Sequence, residues 1–406
     1  MPVIKTNVLT PLNENKFMFL RNVFITIRNK RISSVETSTA IHSFRDWTHL
    51  LCLPGFIDTH VHLSQYYIRG RNGNDLLKWL QENVFVEEAR SRDQDYARKL
   101  SHLFFDALLQ AGTTTSVIYT APQSTACEIA FETARELGVR AMIGKTMMDT
   151  NSPADLLENS DQSFQESVAL FQRWHQKTDL LEYIFSPRFA PVCTPKLMQR
   201  IADFTRANNA FIQTHLAENT DEISLVKSLF PDVGSYTEVY HKSGLLGPRT
   251  ILGHAIHLSE KEIALLAETE SKIAHCPDSN FFLKSGSFSL ASIKKAGIDF
   301  ALATDVGAGT TLSMLEMMKL CNYRQSDYRV KPAEAFYYAT LAGARILGKE
   351  LEIGSVTAGK FADLIFLDLN PDNFANGEDL LSHIIYLNRE IKVKSVMIAG
   401  STVFSA

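Results

Sequence analysis

The chain has 406 residues, 45% of them hydrophobic and 21% charged, and a formal net charge of −4. That length exceeds one ordinary domain and fits a barrel of about 250–300 residues with a smaller module attached. The near-neutral charge, with no long run of either sign and no stretch of 18 apolar residues, argues against a nucleic-acid partner, a membrane surface or a membrane span.

Residues 1–53 read as short strands, with 23–27 and 32–35 flanking a turn at 28–31. From residue 54 onward, short apolar runs alternate with amphipathic helical stretches, the pattern of parallel strands covered by helices. The candidate strands are 55–60, 113–118, 140–144, 183–186, 210–215, 250–254, 272–275 and 299–303. Helical stretches such as 124–137, 195–208 and 260–270 lie between them, and Gly112, Gly138 and Gly297 read as helix C-caps. Eight such units predict an α/β fold, a (β/α)8 TIM-type barrel over residues 54–355. The last fifty residues return to strand-like runs, 362–368 and 393–399, with Gly400 as a turn. Neither end is apolar enough to hold a core alone. Residues 1–53 and 356–406 are therefore expected to pair into one small β-sandwich.

In such a barrel the chemistry sits at strand C-termini. The first strand ends in His60-Val-His62, and residues i and i+2 of a strand share a face, so both imidazoles project together. Alone, the pair reads equally well as one core and one surface histidine. Later strand ends change that reading: Ser186-Pro-Arg-Phe189, Thr214-His-Leu-Ala-Glu218, Gly253-His254, His275-Cys-Pro-Asp278 and Ala303-Thr-Asp305. His60, His62 and His215 supply three neutral nitrogens and Asp305 an oxygen, leaving a position open for water, as in a catalytic metal site. A zinc ion there would bring its water to a pKa of about 7. His254 is either a further ligand or a hydrogen bond to that water. His275 reads as a core or wall residue. Glu218, three residues past His215, is suited to move protons beside the metal, whereas Glu222 reads as a solvated loop acid. The N-terminus lacks a signal peptide's basic start and apolar core, and the five scattered cysteines read as reduced thiols of a cytoplasmic protein.

The segments PGFIDTHVH, HLAE, GH, HCP and TD, in this order at these strand ends, resemble the amidohydrolase superfamily, as do the flanking terminal strands with 354–365. Within it, His60-Val-His-Leu-Ser-Gln-Tyr66, Ser186-Pro-Arg-Phe189, 213–219, 274–280 and 304–309 resemble the guanine deaminase family. The resemblance implies His60, His62, His215 and Asp305 as metal ligands, Glu218 as proton shuttle and His254 as the histidine near the metal water. It implies Gln65 and Arg188 on the edge of a purine base, Phe189 as a pocket aromatic and Trp79 as an aromatic near the pocket mouth. Arg and Gln suit the polar edge of guanine, and Phe281 and Phe282 are available as further apolar walls. Two-metal relatives bridge their ions with a carboxylated lysine on strand 4. Residues 182–193 hold no lysine and Lys145 follows strand 3, so one Zn2+ is expected, with iron as the other candidate. Relatives also imply a homodimer. Three departures from the family stand out: Asp278 in place of the usual Asn, Phe281-Phe282 where smaller residues are usual, and Val-Gly-Ala-Gly-Thr after Asp305. An extra acid near the pocket would affect substrate range. Two other functions are compatible with the chain: an aminohydrolase for a pterin, adenosine-type or triazine ring, and a non-catalytic scaffold. The HxE and PCxxC segments of the cytidine-type zinc deaminases do not occur.

Overall fold

The computed structural model describes residues 2–73, 75–325 and 328–406. Its strands form two sheets, and the first belongs to the two chain ends. Strands β1 (Val3–Asn13), β2 (Lys16–Arg28), β3 (Arg31–Glu36) and β4 (Arg45–Pro54) come from one end, and β13 (Leu364–Leu367), β14 (Val393–Ile398) and β15 (Ser401–Ser405) from the other. Their order is β15-β14-β13-β4-β1-β2-β3. The seam is β4 against β13, antiparallel, with Leu364 opposite Pro54 and Leu367 opposite Leu51. Ile4, Val8, Ile25, Cys52, Leu364 and Phe366 form a core of their own, separate from that of the barrel. Each end therefore supplies the apolar face that the other lacks, as its composition requires.

The second sheet has eight parallel strands in sequential order. They are β5 (Phe56–His62), β6 (Thr113–Thr120), β7 (Arg140–Met147), β8 (Leu181–Pro187), β9 (Phe211–Leu216), β10 (Thr250–His254), β11 (Lys272–His275) and β12 (Phe300–Leu302). β5, β6 and β7 are buried along their whole length, polar residues such as Asp58, His60, Arg140 and Lys145 included. Helices Ser124–Leu137, Pro195–Asn208 and Glu260–Glu268 fall where the helical spacing predicts them. Gly55, between β4 and β5, has no room for a side chain, since a Cβ there would lie 2.0 Å from Oγ1 of Thr114. That close approach joins the terminal sheet to the barrel wall.

A mixture of side-chain and backbone hydrogen bonds, rather than a regular ladder, joins β5 to β12 and the residues after it. Oγ1 of Thr59 donates to the Leu302 carbonyl (2.9 Å), and Asp58 accepts from the Thr304 amide (3.0 Å) and hydroxyl. The Asp305 amide donates to the His60 carbonyl (2.9 Å). The barrel thus closes at the ends of its first and last strands, where His60, His62 and Asp305 stand. Between β5 and the helix Gln94–Gln110 runs a succession of short helical turns, including Leu63–Ile68, Leu76–Trp79 and Phe85–Ala89. They bring Gln65, Trp79 and Glu88 to the same end of the barrel.

Candidate active site

Three imidazole nitrogens and one carboxylate oxygen converge on a single point. Nε2 of His62 lies 3.2 Å from Nε2 of His60 and 3.3 Å from Nε2 of His215. Oδ1 of Asp305 lies 3.4 Å from His60 Nε2 and 3.3 Å from His62 Nε2. A tetrahedral zinc ion with ligands at about 2.0–2.1 Å requires ligand–ligand edges of roughly 3.3–3.4 Å. The donor set therefore fits one metal ion without rearrangement. His254 adds to the cluster, its Nε2 lying 3.8 Å from Oδ2 of Asp305. Backbone geometry helps to aim these groups: His254 (φ 67°) and Asp305 (φ 49°) both occupy the left-handed region, a cost met where surrounding structure fixes a functional side chain.

The protonation states agree with ligation. Burial pushes His62 down to about 4, and burial with the neighbouring imidazoles holds His215 well below its ordinary value. A neutral imidazole is the form that binds metal. Burial opposes ionisation of Asp305, but the His60 and His62 imidazoles outweigh it and hold the carboxyl well below the usual range. Nδ1 of His215 donates to the Arg188 carbonyl at 2.7 Å, which turns Nε2 toward the cluster. Nδ1 of His60 and of His62 has no protein partner among the described residues.

Glu218 stands beside the cluster, with Oε2 3.6 Å from Nε2 of His254. Burial, with the charge of Asp305 second, pushes its carboxyl up to about 8, and the only hydrogen bond to that carboxyl among the described residues is donated by Ser285 Oγ (3.1 Å). A carboxyl that titrates near neutrality can both take and give a proton. Glu222 is not a solvated loop acid. It is 1% exposed, accepts from the amides of Glu218 (2.9 Å) and Asn219 (3.2 Å) and from Tyr236 Oη (2.8 Å), and is pushed up to about 7, chiefly by burial. It fixes the backbone that carries Glu218. The spacing in the sequence carries a hint of this, because Asn219 and Glu222 form a capping box on the helix Thr220–Leu229.

A cavity opens onto the cluster, and Gln65, Trp79, Arg188 and Phe189 all line it. All four are buried. The indole N–H of Trp79 donates to the Arg71 carbonyl at 3.1 Å. Gln65 and Arg188 are joined by a residue that no sequence motif marks. Glu88 accepts from Nε2 of Gln65 (2.9 Å) and from Nη1 of Arg188 (2.6 Å). Glu88 and its neighbour Glu87 are both buried. Asn280 also has no role assigned from the sequence. Its Oδ1 accepts from His254 Nδ1 at 2.9 Å.

The departures in the strand-7 segment do not reach the cavity. Asp278 turns to the loop after Asp305, where Oδ2 accepts from the amide and hydroxyl of Thr310, both at 2.7 Å. The changed acid and the changed loop are thus one linked alteration. Phe281 lies against the Arg324 guanidinium (4.4 Å) and Phe282 packs against the core, so Leu283 is the wall residue. His275 is a core residue stacked on Phe288 (4.3 Å). Lys145 is fully buried and paired with Glu158, away from the cluster.

Residues 51–403 match the model of the amidohydrolase family. The chain is 38% identical to the guanine deaminase of Escherichia coli (strain K12) over 378 residues, covering 89% of this chain and 84% of that protein. It is 34% identical to the guanine deaminase of Dictyostelium discoideum, covering 92% and 88%. Among solved structures, the guanine deaminase from C. acetobutylicum with guanine bound in its active site superposes with a TM-score of 0.94 at 29% identity, covering 99% of this chain and all of that one. The chain belongs to the amidohydrolase family of metal-dependent hydrolases, and within it to the guanine deaminases.

Proposed function

We propose that the protein converts guanine and water to xanthine and ammonia. The observation that carries this reading is the single buried cavity in which Arg188, Gln65 and Phe189 face the His–Asp cluster and Glu218. The charge balance supports it as well. Arg188 is already paired with Glu88, so the recognition end presents a neutral polar surface, suited to an uncharged base rather than an anion.

We assign one zinc ion, with iron as the alternative, to His60, His62, His215 and Asp305. When bound, it supplies a water of pKa about 7 and polarises the reacting centre. Glu218 takes a proton from the attacking water and delivers one to ring N3 as the oxygen adds at C2. His254, its Nδ1 proton held by Asn280, accepts a hydrogen bond from the attacking water through Nε2 and so orients it. Arg188 and Gln65 hold the base edge, Phe189 and Trp79 its faces. Glu218 then passes the remaining hydroxyl proton to the amino nitrogen, and ammonia leaves as the C2 carbonyl forms. The reading extends to a cytoplasmic homodimer built from a terminal module, 1–53 with 356–406, and a barrel, 54–355. All five cysteines are buried free thiols, as suits a reducing compartment, and no helix among the described residues is long and apolar enough to cross a membrane.

Assaying ammonia release from guanine, a pterin, adenosine and a triazine tests the substrate assignment. Guanine should be turned over with a kcat/KM at least about tenfold above the others. Equal or greater turnover of another ring would reject it.

A further inference from the structure

We infer that Glu88 is a positioning residue that sets the hydrogen-bond polarity of the recognition end and so commits it to a lactam edge, a ring C=O next to a ring N–H. The inference rests on the reading above and deepens it. A carboxamide presents an oxygen and an NH2 of similar size, and alone it could offer either to a ligand. Glu88 removes that freedom. Its side chain is fully buried and, paired with the Arg188 guanidinium, accepts hydrogen bonds without donating any. Nε2 of Gln65 is bonded to Oε1 of Glu88, with Ser64 Oγ 3.5 Å from the same oxygen. The oxygen of Gln65 is therefore the end left for a ligand. Arg188 gives Nη1 to Oε2 of Glu88 and, lining the cavity, has no other protein acceptor for its guanidinium among the described residues.

The cavity thus offers a fixed donor beside a fixed acceptor, on two side chains held by one carboxylate. The complementary edge has an acceptor next to a donor, as at O6 and N1–H of guanine. An amidine edge, with an amino group next to a bare ring nitrogen, reverses both partners and leaves buried polar groups opposed. Sites built in this way reject the mismatched analogue by on the order of 10⁴-fold. Glu88 needs no contact with the base to do this. It comes from the helix Phe85–Ala89, Gln65 from the turn after β5 and Arg188 from the end of β8, so one residue registers three segments.

Guanine and 2,6-diaminopurine carry the same 2-amino group and differ at this edge, so the zinc-loaded wild type and Glu88→Gln should be compared on both. The wild type should prefer guanine by at least about 10³-fold in kcat/KM. Glu88→Gln, whose amide can donate as well as accept, should shrink that preference at least about 30-fold, mainly through a raised KM for guanine, with zinc content unchanged. An equal fall on both bases, or an unchanged preference, overturns the inference. Should the variant fail to fold, Glu88→Asp is the second probe: it keeps the charge and loosens both bonds, so it should shrink the preference too, and an unchanged preference overturns the inference. A zinc-loaded wild type that releases no ammonia from guanine overturns the proposed function itself; one that does so without discriminating overturns only the role of Glu88.

Discussion

Oδ1 of Asn280 lies 2.9 Å from Nδ1 of His254. The acceptor oxygen places the His254 proton on Nδ1, so Nε2 faces Glu218 and Asp305 as a bare nitrogen in the neutral ring. Partners of this kind typically contribute 10–100-fold to activity or metal affinity. Asn280→Ala should lower kcat by about that factor while KM for guanine stays within about threefold, as steady-state kinetics on metal-loaded protein would reveal.

Glu218→Gln keeps the shape of the side chain and loses its proton chemistry. Turnover should fall by about 10²–10⁴-fold, with metal content by elemental analysis equal to the wild type. Near-normal activity would remove Glu218 from its role.

Arg188→Ala tests the recognition end and its internal pairing together. It should raise KM for guanine strongly, and it should also cost about 3–5 kcal/mol of stability, because Glu88 is left as an unpaired buried carboxylate. The double variant with Glu88→Ala should recover part of that loss in denaturant unfolding. If the two single losses simply add, the two residues are not coupled.

Much of the site is legible in the amino-acid sequence, and the reason lies in the barrel. His60, His62, His215, His254 and Asp305 lie at or just past strand C-termini, and parallel strands in sequential order bring these together whatever the intervening helices do. The terminal sheet is legible for a related reason, since neither end can bury its own apolar face. Glu88 and Glu222 are not, because both lie on short helical segments where an acid normally faces water, and only tertiary contacts from Arg188 and Tyr236 take them inside. Asp278 misleads for a similar reason. Its position next to His275 and Cys276 suggests the cavity, while the start of the helix Pro277–Phe282 turns it toward Thr310.

Acid should destabilise the fold through its buried histidines. Burial pushes His275 down to about 3, against about 6.5 in the unfolded chain, so between these values the unfolded state binds the extra proton. Stability is then fully present above pH 6.5 and is lost as pH falls toward 3, with His275 contributing a slope of up to about 1.4 kcal/mol per pH unit. His275→Phe should flatten the pH dependence of unfolding in that window, which urea titrations at pH 4–7 would measure.

If one metal ion in the His–Asp cluster drives deamination of guanine, a progress curve on protein of known metal content will show it. Xanthine and ammonia should appear in a one-to-one ratio, at a rate proportional to zinc up to one ion per chain. Chelation should abolish both, and added zinc should restore them. Full activity in the metal-free protein, or ammonia released without xanthine, would contradict the account.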